Sequence, residues 1–235
     1  MKVDVEMMKK LVGMISSIAF LLTMTSCLDS DDDTAPVDVA FVSIYHASPD
    51  APDLDVILDD EPLFNQPLEY TDFTDYLQFY TGSRDLAFNT YNATTELADT
   101  TFNFQNNKAY SVFVVDELSN LSTVIVEDEA ETPGSGEAMV RFVQLSPDAP
   151  ALDLTIGEED SLVFSDRSFK QITDFTEIDA DSYPMVLTDS ETLDTLVSVS
   201  DADLDAGKIY TIIARGFLDT PSGNNNSLSI QIIEN

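Results

Sequence analysis

Ser48-Pro49-Asp50-Ala51-Pro52-Asp53-Leu54-Asp55 returns 98 residues later as Ser146-Pro147-Asp148-Ala149-Pro150-Ala151-Leu152-Asp153. One phrase said twice means two versions of one module. Any active residue therefore has to be sought in both copies. Each proline fixes φ and removes a backbone donor, so Ser-Pro-Asp-Ala-Pro cannot lie inside a central strand. It reads as a rigid turn, with Ser48, Pro49, Asp50 and Pro52 in one copy and Ser146, Pro147, Asp148 and Pro150 in the other. Asp50 and Asp148 are expected to bond their own backbone within it.

Strand signals flank the turn. After it, Leu54, Val56 and Leu58 alternate with Asp53, Asp55 and Ile57, and Leu152, Leu154 and Ile156 alternate with Asp153 and Thr155. Period two sends one set inward and the other outward. Before it run Val39–His46 and Met139–Leu145. Further β-rich runs are 76–80, 86–91, 101–104, 110–115 and 123–126, then 186–188, 196–199, 210–214 and 228–233. No long stretch has a helical period. Short strands separated by Pro, Gly, Asn and Asp turns predict an all-β fold. The form expected is two tandem immunoglobulin-like antiparallel β-sandwiches. Thr71-Asp72-Phe73-Thr74 answers Thr173-Asp174-Phe175-Thr176, and Lys108-Ala109-Tyr110 answers Lys208-Ile209-Tyr210. An acidic, then Pro/Gly/Ser-rich stretch separates the units. The divisions expected are a signal peptide at 1–26, a tether at 27–37, domain 1 at 38–127, a linker at 128–137 and domain 2 at 138–235.

The first segment addresses the chain. Lys9 and Lys10 precede an uncharged, mostly apolar run, Leu11–Thr25, which ends at Ser26-Cys27. This is the layout of a secretion signal, and the run is short for a span of ~20 residues. Asp4 and Glu6 suit a signal poorly, so Met7 or Met8 is the more natural start. The ending at Cys27 resembles the lipobox of bacterial lipoproteins, with Met24 where leucine is usual. That resemblance implies acylation at Cys27. As the only cysteine, Cys27 has no partner within the chain. Acyl methylenes buried at ~0.8 kcal/mol each would anchor the chain to a bilayer without a span. The acidic Leu28–Pro36 stretch reads as a solvated tether. An outer-membrane lipoprotein of the bacterial cell envelope is expected, either periplasmic or surface-exposed.

The formal net charge is −34. Phosphate contacts need Lys and Arg, so nucleic acid is excluded as a partner. With 43% hydrophobic residues the acidity belongs to the surface and does not imply disorder.

His46-Ala47-Ser48-Pro49-Asp50-Ala51-Pro52 followed by Leu54-Asp55-Val56, with Ala206-Gly207-Lys208-Ile209-Tyr210-Thr211 and Gly216 later on, resembles the signature of domain of unknown function 4397. The resemblance implies secreted or lipid-anchored tandem domains and assigns no activity. The second copy carries Gln144 in place of His46, and the first carries Asn107 in place of Gly207.

Chemistry is sparse. His46 is the only histidine and reads as structural. Zinc sites and cysteine catalysis are excluded by ligand count. With 44 acids, chance carboxylate pairs are certain, and none is singled out as a glycosidase pair. Asp201-Ala202-Asp203-Leu204-Asp205 opens like an EF-hand loop, but its glycine is one place late and Ile212 stands where Glu is required. Asp50, Asp53, Asp148 and Asp153 are the remaining candidates for a Ca2+ site. The reading is a lipid-anchored envelope protein with a non-catalytic binding, adhesion or scaffolding role toward a protein or glycan. A calcium-dependent binding module is the alternative, and a carboxylate hydrolase the third reading.

Overall fold

The computed structural model describes residues 37–158 and 161–235. Cys27 and the expected signal peptide lie outside them. The described chain is all β apart from one short 3-10 turn at Leu118–Asn120. The first eight strands are β1 (Val39–His46), β2 (Leu54–Leu58), β3 (Glu61–Pro62), β4 (Leu77–Tyr80), β5 (Gly82–Thr90), β6 (Glu96–Phe104), β7 (Ala109–Val115) and β8 (Ser122–Glu127). The second eight are β9 (Glu137–Gln144), β10 (Leu152–Ile156), β11 (Leu162–Arg167), β12 (Thr176–Asp179), β13 (Ser182–Asp189), β14 (Thr195–Asp203), β15 (Ile209–Arg215) and β16 (Ser229–Glu234).

The first set forms two four-stranded sheets, ordered β4-β1-β7-β8 and β3-β2-β5-β6. The second set repeats the scheme as β12-β9-β15-β16 and β11-β10-β13-β14. Each pair of sheets encloses its own core. Val42, Ile44, Leu54, Phe79, Phe88 and Val112 fill one, and Val140, Phe142, Leu154, Met185, Leu187 and Ile212 fill the other. Leu54 and Val56 point inward, as their alternation requires.

One pairing in each sandwich departs from an antiparallel arrangement. β1 runs parallel to β7, and β9 parallel to β15. Parallel neighbours need a long crossover, and here the intervening strands of the opposite sheet supply it. The Thr-Asp-Phe-Thr correspondence is also displaced. Val42 pairs with Leu77, and its repeat counterpart Val140 pairs with Thr176. Thr74 Oγ1 accepts from the Ile44 N–H at 3.0 Å, and Thr173 Oγ1 accepts from the Phe142 N–H at 2.9 Å. Thr74 therefore matches Thr173, Tyr76 matches Phe175 and Phe73 matches Ile172. Hydrogen bonding to the first strand fixes this register, and the shared tetrapeptide does not.

The sandwiches do not hang as separate beads. β7, β9 and β15 are buried on both faces over most of their length, and so is the end of β1. Their outer faces meet in a third core, built from Tyr45, Ala47, Phe113 and Val115 against Val143, Leu145 and Ile213, with Ile233 of β16. The repeat counterparts of Tyr45, Ala47 and Phe113 are Val143, Leu145 and Ile213, all within this one cluster, so like faces like. The stretch after β8 acts as a strap, because its Asp128 side chain is buried in an ion pair with Arg141 of the second sandwich.

Candidate functional site

The repeated turn is held by a two-point staple. His46 Nδ1 accepts from the Ser48 N–H at 3.3 Å, and Nε2 lies 3.2 Å from the Pro52 carbonyl. A carbonyl only accepts, so Nε2 carries the proton and the ring is neutral. In the second copy Gln144 Oε1 accepts from the Ser146 N–H at 2.6 Å, and Nε2 donates to the Pro150 carbonyl at 3.5 Å. Glutamine thus repeats the imidazole's acceptor and donor on either side of the same bend. Both side chains are fully buried. Burial lowers the His46 pKa to about 4. Both ring nitrogens face backbone, which leaves none for acid–base work.

The aspartates of the turn bond elsewhere than expected. Asp50 accepts from the Leu118 N–H at 2.7 Å, and Asp148 accepts from the N–H groups of Leu218 and Asp219 at 2.8 Å each. These donors lie in the loops that follow β7 and β15. The turn therefore clamps those loops and does not bond its own backbone. The reason is topological: parallel pairing brings the end of β7 beside the end of β1, where the turn begins. Asp153 accepts from the Asp166 N–H at 2.7 Å, and Asp53 is exposed.

The four aspartates proposed as cation ligands are not gathered. Among the described residues no three His, Cys, Asp or Glu side chains come together in a metal-binding arrangement. Asp201 and Asp203 belong to β14, where Ala202 and the following Leu204 turn into the core. The EF-hand-like stretch is the end of a strand.

A cavity of about 170 Å³ lies where the two sandwiches meet. Tyr45, Phe73, Tyr76, Phe113 and Ile233 give it apolar walls, and Ser43, Ser111, Arg141 and Thr211 line its polar side. Thr74, Asp75, Glu234 and Asn235 complete the lining. Arg141 has a side chain 2% exposed, and its guanidinium is held at three points. Nη1 donates to Asp128 at 2.5 Å, Nη2 to Ser111 Oγ at 2.8 Å and Nε to Thr211 Oγ1 at 2.9 Å. Tyr76 and Ser111 donate their hydroxyls to the other Asp128 oxygen, at 2.7 and 2.9 Å. Burial and the Asp128 charge push the Tyr76 phenol up to about 12.

Sequence reading missed this cleft. Its signal was the unbroken apolar run around Arg141, Ala138-Met139-Val140-Arg141-Phe142-Val143. A strand apolar on both faces is covered on both faces. An arginine inside such a run has to meet a carboxylate.

No curated protein matches the sequence. Among solved structures, the carbohydrate-binding module CBMbc (family CBM26) from Eubacterium rectale Amy13K, solved with maltoheptaose, is similar at 8% identity and a TM-score of 0.27. That match covers 83% of this chain and 97% of the other. The fimbrial anchor protein Mfa2 from Porphyromonas gingivalis is similar at 7% identity and a TM-score of 0.21, covering 83% and 97% respectively. At these scores neither likeness bears on what the chain binds. Residues 40–155 match the family model described as domain of unknown function (DUF4397). The match takes in the first sandwich, with its stapled turn, and the first two strands of the second, and on it this part of the chain belongs to that family.

Proposed function

We propose that the protein is a lipid-anchored component of the bacterial cell envelope with a non-catalytic binding role, and that the cleft between its sandwiches is the recognition site. The observation that carries this is the cavity of about 170 Å³ built by both modules. Two packed domains commonly place their ligand site at the seam between them. A void of ~150 Å³ holds a benzene-sized guest, so this cleft suits one ring-sized or planar group. Its polar lining bonds largely within the protein, which fixes the walls in advance of binding. The only imidazole is spent on a backbone staple.

In this reading the chain divides at residues 128–137 and is held to the outer membrane by acylation of Cys27. Labelled fatty acid should enter the wild-type chain and not Cys27→Ala. Protease treatment of intact cells separates a surface location from a periplasmic one. For recognition, the processed chain purified from membranes is offered to a panel of immobilised glycans and envelope proteins. Saturable retention that Ser43→Trp abolishes at unchanged melting temperature supports the cleft. Retention that survives this substitution, or none across the panel, overturns it.

A further inference from the structure

Among the seam positions at which the two copies differ, one exchanges a long cation for a serine. β1 and β9 correspond at the repeat spacing of 98, which sets Ser43 opposite Arg141. The hydrogen-bonded register sets Tyr76 opposite Phe175. In the second copy the Arg141 guanidinium lies over the Phe175 ring, 4.5 Å from its centre. In the first copy serine replaces the long cation, and its aromatic counterpart Tyr76 lines an open cleft together with Ser43. The cavity thus opens beside Ser43, the position at which the other copy carries its arginine.

We propose that this cleft receives the guanidinium of an arginine on a partner protein, which packs against Tyr76 and Ser43 as Arg141 packs against Phe175. A planar cation over an aromatic face is a favourable pairing in a desolvated site. Charge complementarity favours it as well. Asp128 already neutralises Arg141, and Glu234 is paired with Lys208. Asp75 stands exposed at the mouth, and no ion pair engages it among the described residues. A chain of formal net charge −34 draws cationic surfaces toward it before contact. Phe73, whose counterpart Ile172 is packed in the seam, stands 43% exposed beside the opening and can cover the arginine's methylenes.

The proposal rests on the cleft being the binding site, and the test separates the two. The processed chain in detergent is titrated with N-acetyl-arginine amide, n-butylammonium and a neutral methyl glycoside. The ring resonances of Phe73 and Tyr76 and the methyls of Ile233 report occupancy. The arginine probe is expected to give saturating shifts, with butylammonium at least tenfold weaker and the glycoside silent. Ser43→Arg, which supplies the guanidinium from within, should abolish the response. Asp75→Lys should do the same from an exposed position that does not threaten folding. Equal responses to arginine and butylammonium, or a response surviving both substitutions, overturn the guanidinium. Saturation by the glycoside alone overturns it while leaving the cleft as the site. Silence toward all three probes overturns both.

Discussion

Arg141 of the second sandwich and Asp128 of the strap after the first stand 2.5 Å apart, with side chains 2% and 4% exposed. Removing one member of such a pair leaves the other charged and buried, at a cost of about 3–5 kcal/mol. Arg141→Met and Asp128→Asn should each lower stability by that amount in denaturant titrations. The double substitution should recover most of the loss, because no unpaired charge then remains. Additive losses would show that the pair does not act as a unit.

The His46 staple gives a pH signature. Its pKa is about 4 in the folded chain against an ordinary 6.5. The unfolded chain binds the proton more readily between those values. The contribution of neutral His46 is therefore complete above about pH 6.5 and is lost as pH falls toward 4, up to about 3 kcal/mol. His46→Gln, which copies the second module, should melt near wild type at pH 7.5 and lose less on acidification. His46→Leu removes both bonds and should cost about 1–3 kcal/mol at pH 7.5, a deficit that shrinks as wild type loses its own His46 contribution on acidification. Parallel acid melting curves for wild type and His46→Gln would sink this account.

Gly216 follows β15 at φ +87°, and a Cβ there would sit 2.3 Å from the Ser227 carbonyl oxygen. Backbone cannot swing aside as a side-chain tip can. Gly136 has the same φ of +87° with open space around its missing Cβ. Gly216→Ala is expected to cost about 3 kcal/mol or more, and Gly136→Ala about 1–2 kcal/mol from the left-handed backbone alone. Equal losses would mean that the Ser227 contact relaxes freely.

Salt should stabilise the protein without choosing its cation. Added ions screen the self-repulsion of an acidic surface, and Asp50, Asp148 and Asp153 already serve backbone donors. Melting temperatures in sodium, magnesium and calcium chloride at matched ionic strength should rise together. A rise specific to calcium that saturates would reveal a site, since it would follow RT ln(1 + [L]/Kd).

Much of this architecture was legible in the residues. Alternation at Leu54 and Val56 identified the inward face of β2, and the doubled Ser-Pro-Asp phrase identified the repeat. β11 and β12 were not legible. Their short, acid-containing runs Leu162–Arg167 and Thr176–Asp179 lie at sheet edges, where half the ladder is open and propensity counts for little. The destination of the Asp148 carboxylate could not be read either. It depends on a loop 70 residues further on, brought near by the parallel pairing of β9 with β15. The equivalence of His46 with Gln144 was visible as a substitution, but its meaning required seeing one acceptor and one donor span the same bend.

The seam between like faces has a historical consequence. A surface that meets its own repeat is the geometry of a symmetric dimer, here joined into one chain. The two halves have since diverged in complement. Tyr45 and Phe113 are bulky where Val143 and Ile213 are slim, and the single Arg141 answers the single Asp128. Two first modules would bring four large rings into a space shaped for two and leave both aspartates without a cation. Neither half can stand in for the other, so recombination that shuffles or duplicates one module yields a pair that no longer closes.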